Sequence, residues 1–320
     1  MGKGIEHIYI GVKKNVIKNN MRCIFCKIES ENSKSVEHVI PESLGSKIIV
    51  LPKGFVCDKC NNYFSIKVEK PILNHPSIRN IRGWYQVPNK KGNIPAVSGK
   101  ILGEDLGILM KIDKNGKLEI KSEKTNQQYL NIDLESKNSP IIFKLDINPP
   151  KNEMSRFLAK MALEFLVYRF QEDKKMVDFI IDSNHYDTIR HFVRNGNLPE
   201  EWPYSIRRIF PIDTEMEHPK SGELVMFGFG YDLFLNHRKE TFFVFLFYGV
   251  EFVINLGGPS IKGYEEWLEL NEYISPIIQR NGAKLVLEKR GDKHKYVIRG
   301  GNDSNRGRLF DKKLLEKYFA

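Results

Sequence analysis

The chain has 320 residues, 41% hydrophobic and 11% aromatic, enough apolar material for a real core, which excludes a wholly disordered chain. Its 50 Lys and Arg against 40 Asp and Glu give a formal charge of +10. That excess sits at the two ends: residues 1–80 carry 13 basic against 7 acidic residues, residues 281–320 carry 11 against 5, and the stretch between is slightly acidic. Basic ends suit either plain solvation or a polyanionic partner, and charge alone does not choose between DNA, RNA and an acidic membrane. The most apolar stretch, Thr241 to Val250, is too short to span a bilayer and reads as a buried strand. Met1 to His7 lacks the charged-then-apolar layout of a secretion signal, so a cytoplasmic protein without membrane association is expected.

In chain order, the first segment is a basic leader, Gly2 to Asn20, with Lys13, Lys14 and Lys18. The only four cysteines follow as Cys23-x2-Cys26 and, thirty residues later, Cys57-x2-Cys60. In a cytoplasmic chain two such pairs point to a tetrahedral zinc site, each tight turn presenting two thiolates. Four thiolates leave zinc no open position, so the metal is expected to be structural. Between the knuckles lies Val36-Glu37-His38-Val39-Ile40-Pro41, and the second knuckle continues into Asn61 and Asn62. Zinc that holds Cys60 also holds its neighbour Asn61, and through Cys26 it clamps the base of a strand pair carrying Glu37 and His38. A carboxylate, an imidazole and an amide oxygen can then converge on one small volume. Oxygen ligands suit a hard cation such as Mg or Mn, and a neutral imidazole beside it suits general-base activation of water. Asn62 is the alternative ligand to Asn61.

Cys23-x2-Cys26, Glu37-His38-Val39-Ile40-Pro41, Leu44-Gly45 and Cys57-x2-Cys60-Asn61 together resemble the HNH endonuclease domain in its zinc-stapled bacterial form, over about residues 20–75. The resemblance implies a ββα-metal hairpin and helix that hydrolyses phosphodiester bonds with one divalent ion, Mg or Mn. His38 matches the general base, its other ring nitrogen held by a backbone carbonyl. Glu37 matches the acidic metal ligand, often Asp in the family, and Asn61 the second protein ligand. The middle letter is missing: Leu44 to Val56 contains no Asn, so backbone or another side chain must hold the loop bearing the base. Family context implies double-stranded DNA as substrate, RNA being the other candidate. It also implies a role in restriction or antiviral defence, working as a homodimer or with a partner protein. The contrasting reading is a zinc ribbon that binds nucleic acid without cutting it.

Beyond the second knuckle, Asn61 to Leu73 reads as the helix of the motif, ended by Pro71 or His75-Pro76. Residues 80–145 alternate short apolar runs with turn residues, Asn115-Gly116 marking a hairpin. After Asn148-Pro149-Pro150, apolar residues from Phe157 to Phe170 recur at helical spacing, which predicts a buried helix over Glu153–Phe170. A second helix is expected over Tyr186–Arg194, three antiparallel strands over 223–256, and a terminal helix over Arg308–Ala320. Arg190, Arg194, Arg207 and Arg208 are candidates for a phosphate-facing patch. Trp84, Trp202 and Trp267 read as core residues that could otherwise stack a base. The expected fold is α+β: a small four-cysteine-zinc module over 1–80, then a larger mixed domain over 81–320, with a sub-boundary near 148–150. The larger domain is expected to serve target recognition or oligomerisation.

Overall fold

The computed structural model describes residues 21–300 apart from 102–106, 113–117, 124–140, 198, 200, 218–220 and 227. The basic leader and the expected terminal helix lie outside the described residues. The fold is α+β, as expected. After a tight turn over the first cysteine pair, β1 (Glu37–His38) pairs with β2 (Val50–Leu51) in a short antiparallel hairpin. A helical run follows, α1 (Asp58–Phe64), a π turn (Ser65–Glu69) and α2 (Lys70–Asn74), and after it comes α3 (Pro76–Trp84). The run starts earlier than the sequence predicts because Cys57 caps it, the sulfur accepting from Cys60 N. Pro71 does not end it. The wide π turn just before absorbs a residue with no N–H to donate, and the helix breaks instead at His75, extended ahead of Pro76.

The next strands are β3 (Val97–Ile101), β4 (Gly107–Ile112), β5 (Leu118–Ser122) and β6 (Ile141–Phe143), an antiparallel sheet in the order β5-β4-β3-β6. The Asn115-Gly116 turn lies outside the described residues; the strands on either side of it pair antiparallel, Ile112 opposite Leu118. The axis of the fold is α4 (Lys151–Phe170), apolar nearly all round and buried to match. Onto it pack α5 (Lys174–Asp182), unmarked by any periodicity above, and α6 (Asp187–Asn195). Downstream come β7 (Tyr204–Arg208), β8 (Glu215–Glu217), β9 (Leu224–Met226), β10 (Phe229–Leu235), β11 (Thr241–Phe247), β12 (Val250–Asn255), α7 (Lys262–Leu270), α8 (Pro276–Asn281), β13 (Lys284–Arg290) and β14 (Lys293–Arg299). The sheet β10-β11-β12-β7 packs on α4 through β11 and β12, and β11 is buried at every position. The remaining sheet has the order β13-β14-β8-β9. Among the described residues no helix is long and apolar enough to cross a membrane.

One apolar core runs from Cys23 through Phe64, Phe157 and Leu166 to Phe245 and Ile254, so the cysteine-bearing segment and the helices beyond residue 150 share it. Polar bonds stitch the same seam. Arg22 pairs with Asp182 at 2.6 Å, Lys27 with Asp187 at 2.6 Å, and Arg156 donates to the Tyr63 hydroxyl at 3.1 Å. Arg190 is not on a phosphate-facing patch: it is 3% exposed, and its guanidinium donates to the backbone oxygens of Ile24, Ser183 and Ile180 and to Asp187. Arg207 is likewise spent, on Glu251 at 2.6 Å and on Tyr273 O, and Arg208 donates to Phe210 O and Tyr248 O. The expected patch therefore reduces to the exposed Arg194 and Arg208. Trp202 is buried in the core as expected and donates to Asn255 O, while Trp267 is half-buried and packs against the core on Phe234 at 4.5 Å. Trp84 is 41% exposed and tilts against Phe143.

Candidate active site

The first knuckle is a tight turn closed by Cys23 N donating to Ile28 O and Lys27 N to Cys23 O, with Lys27 in the left-handed region at φ 61. The second knuckle is the capped start of α1. Together they gather all four cysteine sulfurs to within 4.8 Å of one another, with Cys26 and Cys57 at 3.7 Å. A tetrahedral zinc with bonds of about 2.3 Å requires sulfur separations of about 3.8 Å, so the cluster can hold zinc with almost no rearrangement. The sulfurs divide their protons unevenly: the bond from Cys60 pulls the Cys23 thiol down to about 5, while burial pushes Cys26 up to about 11. No vacant ligand position remains, which suits a structural metal.

The hairpin between the knuckles carries the expected acid and base. Successive strand residues turn to opposite sides, and the partners of Glu37 and His38 differ accordingly. Glu37 is 6% exposed and its Oε1 lies 2.6 Å from Lys160 Nζ on α4. The same ammonium meets Glu69 Oε1 at 2.8 Å and Glu164 Oε2 at 2.9 Å, and Lys160 and Glu164 are wholly buried. Burial pushes the Glu37 carboxyl up and Lys160 opposes that shift. Desolvation works against the Lys160 ammonium, yet Glu164, Glu37 and Glu69 together hold it above its ordinary range.

His38 faces elsewhere. Its Nε2 lies 3.8 Å from Glu42 Oε1, beyond direct hydrogen-bond reach, and its buried Nδ1 has no hydrogen-bond partner. The backbone carbonyl expected to hold the ring is therefore not there. With the Glu42 carboxylate on the Nε2 side favouring a proton on that nitrogen, Nδ1 is the nitrogen left bare to accept one. Burial pushes the imidazole below its ordinary value, Glu42 works against that, and the charge of Lys90 adds to it.

Asn61 joins the hairpin through Nδ2, which donates to Val36 O at 3.2 Å. That bond places the amide beside the start of β1 and leaves Oδ1 as the atom it can offer a ligand. The loop that lacks the middle Asn is held by backbone bonds instead. Val39 N donates to Ile49 O, Leu44 N to Pro41 O and Gly45 N to Glu42 O, with buried Leu44 as anchor. Gly45 sits at φ 100, a conformation that other residues adopt only with strain.

Residues 23–77 match the family model of the HNH endonucleases. No curated protein and no solved structure matches the chain. The HNH segment holds the four cysteines, Glu37, His38, Glu42, Asn61 and Glu69, whereas Lys160, Glu164 and Lys90 lie outside it. An HNH domain points to nuclease chemistry on nucleic acid, and HNH nucleases use a divalent metal. In kind, a carboxylate such as that of Glu37 and an amide oxygen such as Asn61 Oδ1, its own Nδ2 tied to Val36 O, are donors that such an ion takes. Lys160, Glu69, Glu164, Glu42 and Lys90 escaped the sequence reading. Two had a signal: Lys160 and Glu164 are charges at i, i+4 inside an otherwise apolar helix, where an unpaired charge is costly.

Proposed function

We propose that this chain is a metal-dependent endonuclease that hydrolyses phosphodiester bonds in double-stranded DNA, using His38 as general base and Glu37 and Asn61 to hold Mg or Mn. The observation that carries the reading is the hairpin itself, which carries Glu37 and His38 on β1 and to whose start Asn61 is bonded through Val36 O. Glu37 and Asn61 Oδ1 would bind the cation and set its place relative to the phosphate. A divalent cation bound there supplies charge stabilisation to the phosphoryl oxygens and the leaving oxygen. His38 would take a proton from the attacking water, and its depressed basicity keeps it neutral and ready near pH 7. The four-cysteine site would fix the hairpin and α1 relative to each other without touching substrate.

One such centre cuts one strand, so a double-strand break calls for two copies or two events, and a homodimer or a partner protein fits that need. Restriction or antiviral defence in the cytoplasm is the setting we assign to it. A second reading, a zinc ribbon that binds nucleic acid without cutting, is favoured by one observation, the Lys160 ammonium on the carboxylate of Glu37. Supercoiled plasmid incubated with purified protein and Mg or Mn separates the two. Nicking or linearisation that EDTA and His38→Ala each abolish supports the nuclease, while retention of the plasmid without any cut supports the binder.

A further inference from the structure

We infer that Lys160 is the positioning residue for Glu37: its ammonium, anchored by Glu164 and Glu69, holds the carboxylate in place for the metal. This inference rests on the reading of Glu37 as a metal ligand. It assigns part of the nuclease centre to α4, 123 residues beyond Glu37 and outside the HNH segment.

Three features carry it. The first is that packing alone does not call for a lysine here. Its helix neighbours Phe157, Leu158, Ala159, Met161 and Ala162 are apolar and buried, and replacing a buried ion pair by apolar residues of similar volume is often neutral or stabilising. What an apolar residue could not do is bond Glu37. The second is where the lysine is tethered. Glu164 lies one turn along the same helix, and Glu69 lies at the end of the π turn that precedes α2. Two acids thus fix the ammonium independently of Glu37, and its bond to Oε1 sets the position of that carboxylate from outside the hairpin. The third is that Lys160 does not saturate the cluster: three carboxyl groups share its one ammonium, and Glu164 Oε1 is buried without a hydrogen-bond partner. Among the other charged groups, Lys90 is near enough to act on Glu37, but it is exposed and makes no bond to it.

The test is Mn2+ binding followed by electron paramagnetic resonance on zinc-loaded protein, in wild type, Glu164→Gln, Lys160→Met with Glu164→Gln, and Glu37→Gln. Removing both members of the i, i+4 pair avoids stranding Glu164 as an unpaired buried charge. The double variant is expected to bind Mn2+ about 10- to 100-fold more weakly than Glu164→Gln, the usual effect of losing a group that orients a ligand. Equal or tighter binding by the double variant, with Glu37→Gln still weak, overturns the role of Lys160 and leaves Glu37 as ligand. Glu37→Gln binding Mn2+ like wild type overturns the reading beneath it. Should the double variant not fold, wild-type protein labelled with 13C-lysine decides. The buried lysine, recognised by its exchange-protected ammonium, must lose its Cε signal at substoichiometric Mn2+, and a signal that stays sharp overturns the inference.

Discussion

Arg190 Nε donates to the carbonyl oxygen of Ile24 at 2.8 Å, so a helix far along the chain grips one of the two residues between the first two cysteines. The same guanidinium also caps Ser183 O and Ile180 O, which makes it a buried rivet between α6, the turn before it and the first knuckle. Arg190→Met should strand those oxygens and cost about 2–4 kcal/mol of stability, since charged-group hydrogen bonds and buried unsatisfied acceptors each weigh 1–3 kcal/mol. It should also speed zinc loss to a chromogenic chelator. Unchanged melting together with unchanged release of zinc would count against the rivet.

The cysteine cluster makes a separate prediction. A site whose sulfurs already lie within 4.8 Å stores metal-binding energy as folding energy. Cys60→Ser should abolish stoichiometric zinc because it removes one of the four thiolates, while the backbone N–H of residue 60 that donates to the capping sulfur of Cys57 is retained, so the loss reports the metal site and not the helix cap. Losing several kcal/mol in a protein of this size lowers Tm by about 10 °C, at roughly 2–4 °C per kcal/mol. Calorimetry with and without chelator tests this. A Tm indifferent to zinc would show that the cluster is not a structural metal site.

These two sites mark what could be read from the chain and what could not. The knuckles, the Glu37-His38 pair and the Cys60-Asn61 junction are legible because their meaning is local: residue type and spacing within forty positions. The same holds for α4, whose apolar spacing shows a buried helix, and for β11, whose apolar run allows only burial. Arg190 reads as a surface charge because nothing near it in sequence names Ile24 as its partner; that is decided only when α6 packs against the knuckle. Lys160 fails for the same reason, though its place in an apolar helix is itself a mark of a buried partner. The short helix α5 does carry local cues, Asp173 capping it by accepting from Met176 N and Met176, Val177, Ile180 and Ile181 recurring at helical spacing, but the stripe spans only two turns.

The pH dependence of cleavage should report His38. A general base works in its neutral form, so the rate rises as pH passes upward through its pKa and then levels off. Burial lowers that pKa from its ordinary 6.5, and the acid limb should therefore have its midpoint below 6.5. The carboxylate of Glu42 acts in the opposite sense, holding the imidazolium up. Glu42→Gln removes that support and should move the midpoint to still lower pH, with the plateau rate reduced if the carboxylate also orients the ring. A midpoint that rises in Glu42→Gln would exclude this arrangement.

Lys90 stands on an exposed turn closed by Asn89, whose side chain accepts from Lys91 N and Asn93 N. Its charge reaches both Glu37 and His38 and lowers the pKa of each, which places an exposed ammonium at the rim of the proposed centre. An exposed lysine so placed is suited to a phosphate adjoining the cut bond, a contact that adds affinity without sequence preference. Lys90→Ala should weaken DNA binding by a similar factor on every sequence and reduce the slope of log affinity against log salt by about one. Fluorescence anisotropy across a salt series measures both quantities. A loss of affinity that leaves the salt slope untouched would mean that Lys90 touches no phosphate, and that its influence on His38 is purely through the field it sets.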